Sequence, residues 1–314
     1  MWPPDSRRER AWFGLAAIAF GMSYAVLPLY SSNQNHHFLI GIARAGDGLL
    51  RNDWLVSTRD PFPVFTAFVW FVHKYLADSL HYLVYILLLG AYAYGLMRIG
   101  EDVFPSHGSA DARASERLLF LAITCVLHNE VIGYLLGFGL RGMPWWQMTH
   151  WGVAEQELFG HSAFQASSVG LLLPLAIHWF LQRRSRLAAL TVAAVLVVHF
   201  SYAITAAALV AGFMFIEWRR TRNLRTPAVV GAIALAIALP PALYVLLNFG
   251  PTSADASARA AAILVAHLPQ ETQPSVWFGA KAALQIVLMI AGIALAAGSD
   301  LFAPLLAVFV AGAS

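Results

Sequence analysis

Apolar runs recur along nearly the whole chain, too many and too long for one water-soluble core to bury. Of 314 residues, 59% are hydrophobic and 12% are charged, against about 25% charged in a soluble domain. The pattern predicts an all-α, polytopic transmembrane helical bundle of about 10–11 helices, formed as a single transmembrane domain over residues 1–314. The formal net charge of +3 is no nucleic-acid signature. Instead, the basic residues fall in short clusters between apolar runs, as the positive-inside rule places them. The lone cysteine, Cys125, excludes a disulfide framework and reads as a small core residue.

Arg7, Arg8 and Arg10 precede the first apolar run, residues 11–30. A run of about 20 residues suits a spanning helix better than a signal-peptide core, and no A-x-A-like cleavage site follows. The N-terminus is therefore expected in the cytoplasm. Residues 31–61 are too polar to cross. Within them Phe38, Ile42, Ala45 and Leu49 recur at helical spacing, which predicts an interfacial helix, with Trp54 as an anchor. Asp60-Pro61 opens an apolar run at 62–76, and a break around Asp78 leads to another at 80–97.

Residues 100–116 read as a loop. Two short runs, 118–127 and 131–140, flank His128-Asn129-Glu130, and residues 141–161 form a second polar stretch rich in tryptophan. Residues 162–181 are apolar enough to span. Residues 187–216 carry arginine clusters on both flanks and His199 at the centre, so the run must double back near His199. Further spans are expected at 227–248 and 276–297, separated by a polar loop with an amphipathic stretch. The last run, 301–313, stops without a polar tail and reads as a truncated chain. Counting sides with the N-terminus inside places 31–61 outside. Reading 118–140 as two short crossings places 141–161 outside too, and keeps the basic clusters cytoplasmic. The same count puts 100–116 outside despite its arginines.

The outer segments hold the unusual polar residues. The first contains Asn33, Asn35, His36, His37, Asp47, Asp53 and Asp60; the second contains Arg141, His150, Glu155, Glu157 and His161. His199 approaches the same side. Arginine suits a phosphate, and a carboxylate or imidazole suits general-base work. A divalent metal ion is a second use for His36, His37, His150, Glu155, Glu157 and His161, although no tight ligand motif is present. Interfacial loops are also polar simply because they meet water. On a helix, His36 and His37 diverge by about 100°, so only one of the two can face a cavity.

The order of these features resembles the GT-C superfamily of membrane glycosyltransferases. The counterparts are residues 11–30, then Asn35-His36-His37 through Asp53-Trp54-Leu55, then Asp60-Pro61-Phe62-Pro63. The likeness covers about the first 220 residues, in layout more than in motif. It implies an enzyme of a bacterial inner membrane that moves a sugar from a polyprenyl-phosphate donor to an outer glycan, lipid or protein. His36, Asp47 or Asp53 would deprotonate the acceptor and Arg141 would neutralise the leaving phosphate. Asn35, Glu155, Glu157 and His161 would contact substrate. The family usually carries an acidic residue early in the first outer loop, where this chain has Asn33, Asn35 and His36. The layout is closest to uncharacterised bacterial membrane proteins of this kind. A transporter or lipid-glycan flippase, or a non-catalytic scaffold, is the alternative, and no internal repeat favours the transporter.

Overall fold

The computed structural model describes residues 7–31, 33–46, 48–103, 110–128, 163–250, 252–273, 280–295, 297–298, 302 and 306. Among these the regular structure is helical, without strands. Three helices are long and apolar enough to cross a membrane: Leu80–Asp102, Phe200–Thr221 and Arg225–Phe249. Their length and composition are those of a membrane protein.

Helix α1 (Arg7–Tyr24) stops short of the expected residue 30. Pro28 lacks an N–H and disfavours helical geometry at the residue before it. Helix α5 (Leu80–Val103) runs antiparallel to α1 at very short range. A Cβ on Gly21 would lie 2.4 Å from the Ile86 carbonyl oxygen, and one on Gly90 would lie 3.3 Å from that of Ala17. Small residues are the usual means of close helix packing in membranes, where lipid offers no hydrophobic drive to association.

Between them lie α2 (Gln34–His37), α3 (Leu39–Ala45) and α4 (Pro63–Tyr75). The expected amphipathic helix is present, but Gly46, at φ 111°, ends it. Phe38 and Ile42 are buried as predicted, whereas Leu49 falls beyond the break and is 84% exposed. Helix α3 lies antiparallel along α4, with Gly41 against Thr66 and Val69. Arg44 reaches Asp60 before α4 begins, and the Tyr30 hydroxyl donates to Asp78 after it ends. Tyr82, early in α5, donates to the Leu27 carbonyl. The chain thus leaves α4 close to where it left α1. Thirteen residues span about 19 Å, and α4 does not carry the chain across the bundle.

This corrects the count of sides. Helix α5 starts at the end where α1 stops and runs to the other end, where Asp102 meets His178 and Gln182. The expected loop at 100–116 is helical at its described residues, 100–103 and 110–116: α6 (Ala110–His128) is one continuous helix that includes the run 118–127. Arg117 pairs with Glu101, and the Phe120 ring covers Gly100. These arginines therefore stand at the same end as the basic clusters, not opposite them. Helix α6 then heads back, and His128 meets Tyr92. Residues 163–167 stand at the far end, where Gln34 donates to the Phe164 carbonyl and Tyr202 to that of Ser167. Residues 110 and 163 therefore stand at opposite ends, whereas two crossings at 118–140 would have left them at one end. Residues 131–140 and 141–161 lie outside the described residues.

The expected span at 162–181 is a 3-10 turn, Ala166–Leu172, followed by the short α7 (Leu173–Leu181). Pro174 in its first turn has no N–H to continue the earlier helix. Helices α8 (Ser185–Val198) and α9 (Ala203–Thr221) form the predicted hairpin, with the reversal at His199. Its core is tight: the Phe180 and Phe213 rings stack at 4.3 Å, and Ala188, Ala189 and Val192 are fully buried. Helix α10 (Arg225–Phe249) packs on both through one face, but only 6% of its apolar window is buried. The amphipathic stretch after it is α11 (Ala254–His267), capped by the Ser253 hydroxyl. The short α12 (Pro269–Thr272) and then α13 (Ala280–Leu295) follow. Helix α13 falls inside the expected span at 276–297, and most of 301–313 lies outside the described residues.

Two measurements test this packing. Gly21→Ala should lower stability in detergent by about 1–3 kcal/mol, because the new methyl meets backbone rather than a movable side chain. Gly14→Ala has no neighbour within 4 Å and should be neutral or slightly stabilising. Equal melting temperatures for the two variants would contradict the close approach of α1 and α5. Separately, in a Cys125→Ser background, cysteines at Ser57 and at Arg222 should react with an impermeant thiol reagent from opposite membrane faces. Labelling of both from one face would overturn the assignment of ends.

Candidate functional site

The start of α4 gathers polar groups from three parts of the chain. Proline at its first turn forgoes a backbone donor that would have no helical partner, and Asp60 answers the next ones. Its Oδ1 accepts from the Phe62 N–H and from the Thr66 hydroxyl, both at 3.0 Å. Its Oδ2 lies 3.2 Å from Arg44 Nη1. Tyr244, late in α10, donates to the Asp60 carbonyl at 2.7 Å. The Asp60 side chain is nearly inaccessible, but that of Arg44 is 52% exposed. One face of the guanidinium is thus held and the remainder meets solvent.

Phe62 is the hinge of a second group. Its ring packs edge-on against His37 at 5.4 Å and stacks on His199 at 4.5 Å with 17° between planes. His36 touches His37 at 4.7 Å, and Tyr202 touches His199 at 5.5 Å. The first polar segment therefore docks on the reversal of the α8–α9 hairpin, which brings the imidazoles of His36, His37 and His199 to one end of the bundle. His36 is exposed and His37 half-buried, so one of the adjacent pair faces inward, as the helical divergence requires.

The buried imidazoles are electrostatically distinct. Burial pushes His37 down to about 4, with further lowering from His36 and His199. Burial also pushes His199 down to about 4. Both rings are neutral near pH 7. The Nδ1 atoms of His37 and His199 are buried and find no hydrogen-bond partner among the described residues. Buried polar atoms are nearly always satisfied, and these two belong to a group of unpartnered atoms at this end that also includes Asp60 Oδ2, His81 Nε2 and Gln165 Oε1.

The other predicted residues are placed as follows. Asn35 is exposed on α2. Asp53 is half-buried, and its Oδ1 accepts from the Leu55 N–H at 2.8 Å, an ordinary turn contact. Asp47, Arg141, Glu155, Glu157 and His161 lie outside the described residues, as does His150. No group of three His, Cys, Asp or Glu residues that could hold a metal ion is found among the described residues. Arg44 and Tyr244 were not singled out from the sequence, and Asp60 was counted only among the polar residues of the first outer segment. The signal for Asp60 was its place before Pro61-Phe62-Pro63, where a short carboxylate can organise a helix start; nothing marked Tyr244.

A separate polar cluster at the α4–α5 turn reads as structural. Asp78 receives the Tyr30 hydroxyl at 2.5 Å and His73 Nδ1 at 2.9 Å. Burial alone would raise the Asp78 carboxyl, but these hydrogen bonds hold it below its ordinary value. His178 likewise pairs with Asp102, and His128 with Tyr92 and the Thr124 carbonyl.

No protein-family profile, curated protein or solved structure matches this chain.

The imidazoles predict a pH dependence with a definite sign. Unfolded histidine takes up a proton near 6.5, while His37 and His199 resist protonation down to about 4. Between these values the unfolded state binds more protons, so stability rises with pH and is lost as pH falls through this window. The melting temperature should drop from pH 7 to pH 4.5, and His37→Asn combined with His199→Asn should flatten that slope. An unchanged slope in the double variant would show that these rings titrate normally.

Proposed function

We propose that this chain is a GT-C-like glycosyltransferase of a bacterial inner membrane, with the α4 end of the bundle facing outward. The observation that supports this reading is the pair of buried, unpartnered imidazole nitrogens flanking Phe62, beside a half-exposed arginine. The arginines in the first turn of α1, those on α6 and those flanking the α8–α9 hairpin share the opposite end, which supports a cytoplasmic N-terminus.

In this reading the sugar arrives on a polyprenyl phosphate from the bilayer. A neutral imidazole, His37 for preference, takes the proton of the acceptor hydroxyl. The acceptor oxygen then bonds to the anomeric carbon as the bond from that carbon to the phosphate oxygen breaks. The electron pair leaves with the polyprenyl phosphate. Arg44, held by Asp60, offers its remaining N–H groups to the developing phosphate charge. His36 stands at the exposed rim, where it can contact the acceptor. Arg141 keeps its proposed share in neutralising the phosphate. A base that is neutral well below pH 6 also gives an unusual rate profile, flat where an ordinary imidazole would be losing activity.

The test is transfer from a polyprenyl-phosphate sugar by purified protein. His37→Ala should lower the rate by about 100-fold, in the range general-base catalysis supplies, and Arg44→Gln should also slow transfer. The wild-type rate should stay level from pH 8 down to pH 5. Full activity in both His37→Ala and His199→Ala would remove the imidazoles from the mechanism and favour a scaffold. Absence of transfer by the intact chain with any such donor would reject the transferase reading itself.

A further inference from the structure

The opposite end of α8 holds a cavity that the proposed reaction does not use. It has a volume of about 680 Å³ and lies where α7, α8, α9 and α10 converge. Arg183, Arg184, Arg186 and Arg220 line it, against the single carboxylate of Glu217. That carboxylate is already committed. Glu217 is buried, and its Oε1 takes the Ser185 hydroxyl at 2.5 Å and Arg220 Nη1 at 3.3 Å. Arg183, Arg184 and Arg186 stand exposed around the rim, with Arg184 seated over the Trp179 ring. The cavity is therefore strongly cationic, and its one acidic group is turned inward to steady its floor.

The backbone at the start of α8 points the same way. The last carbonyls of α7 are answered by the N–H groups of Gln182, Arg183 and Arg184. In contrast, no side chain caps the first turn of the fourteen-residue α8. Its leading residues, Ser185, Arg186 and Leu187, line the cavity. An uncapped helix start facing a ring of guanidinium groups is a site for an anion, and planar, forked arginine donors match phosphate oxygens best.

We propose that this cavity binds a phosphate group, carried either by an anionic lipid headgroup of the same membrane face or by a free phosphate or pyrophosphate. The lipid source is sterically open because Leu187, beside the arginines, is exposed at the start of α8, so acyl chains can lie along that helix. This inference does not depend on the transferase reading.

The experiment uses the full chain in nanodiscs. Retention of phosphatidylglycerol over phosphatidylcholine is read by native mass spectrometry. Stabilisation by inorganic phosphate or pyrophosphate is read by melting in phosphatidylcholine discs, against chloride at matched ionic strength. Arg184→Gln with Arg186→Gln, both exposed at the rim of the cavity, should weaken binding by roughly tenfold or more. Glu217→Gln should strengthen it, a gain that misfolding cannot mimic. Retained phosphatidylglycerol without a phosphate shift assigns the lipid headgroup, and a phosphate shift lost in the double arginine variant assigns the free anion. Binding of neither probe, or equal binding by the arginine double variant, overturns the proposal.

Discussion

A helix of thirteen residues is about 19 Å long, and the hydrocarbon core of a bilayer is about 30 Å thick. Helix α8, only one residue longer than α4, still joins the two ends, so it is the placement of α4 along α3, and not its length alone, that organises the rest of the bundle. Because α4 lies along α3 and returns the chain to the end of α1, α5 must start there and make the first long passage after α1. The arginines of α1, of α6 and of the α8–α9 flanks then fall at one end, and the imidazoles of His36, His37 and His199 fall at the other. Had α4 crossed, α5 would have run the other way and the arginines on α6 would have faced those flanking the α8–α9 hairpin.

The parts of this arrangement that depend on composition were legible in the sequence. The α8–α9 reversal at His199 followed from arginines on both sides of an apolar run too long for one crossing, and it is present. The divergence of His36 and His37 followed from helix geometry. The failures have physical causes. Hydropathy reports that residues 62–76 are apolar, but an apolar helix packed on α3 and one immersed in lipid look alike by composition. Charge suggested a loop at 100–116, yet Arg117 and Glu101 neutralise each other across two helices. Pairing across space is invisible in a linear reading. The same blindness concealed the partners of Asp60, Arg44 and Tyr244, which are 16 and 184 residues away.

The close approach of α1 and α5 fixes more than stability. Gly21 and Gly90 let the backbones meet, which sets the height of α5 relative to the segment after α1. Tyr82 and Asp78 can then reach Leu27 and Tyr30. Those contacts in turn hold Gln34, whose side chain accepts from the Tyr30 N–H and donates to the Phe164 carbonyl. Gln34 opens the short helix that carries His36 and His37. A chain of short, mostly backbone-directed contacts thus runs from the helix interface to the imidazoles, with few freely rotating groups in between.

That rigidity bears on why the imidazoles are left unsatisfied. At this end of the bundle Asp78, Asp60 Oδ1 and the side chain of Gln34 each have two hydrogen-bond partners. Nδ1 of both His37 and His199 has none among the described residues, and the same holds there for His81 Nε2, Gln165 Oε1 and Asp60 Oδ2, which has only its ion pair with Arg44. Apolar residues could fill those positions and keep the stacking on Phe62 without the desolvation cost. Two neutral rings held on opposite sides of one phenyl group bring two polar nitrogens to one place at the end of the bundle, which is the arrangement the proposed transfer would use.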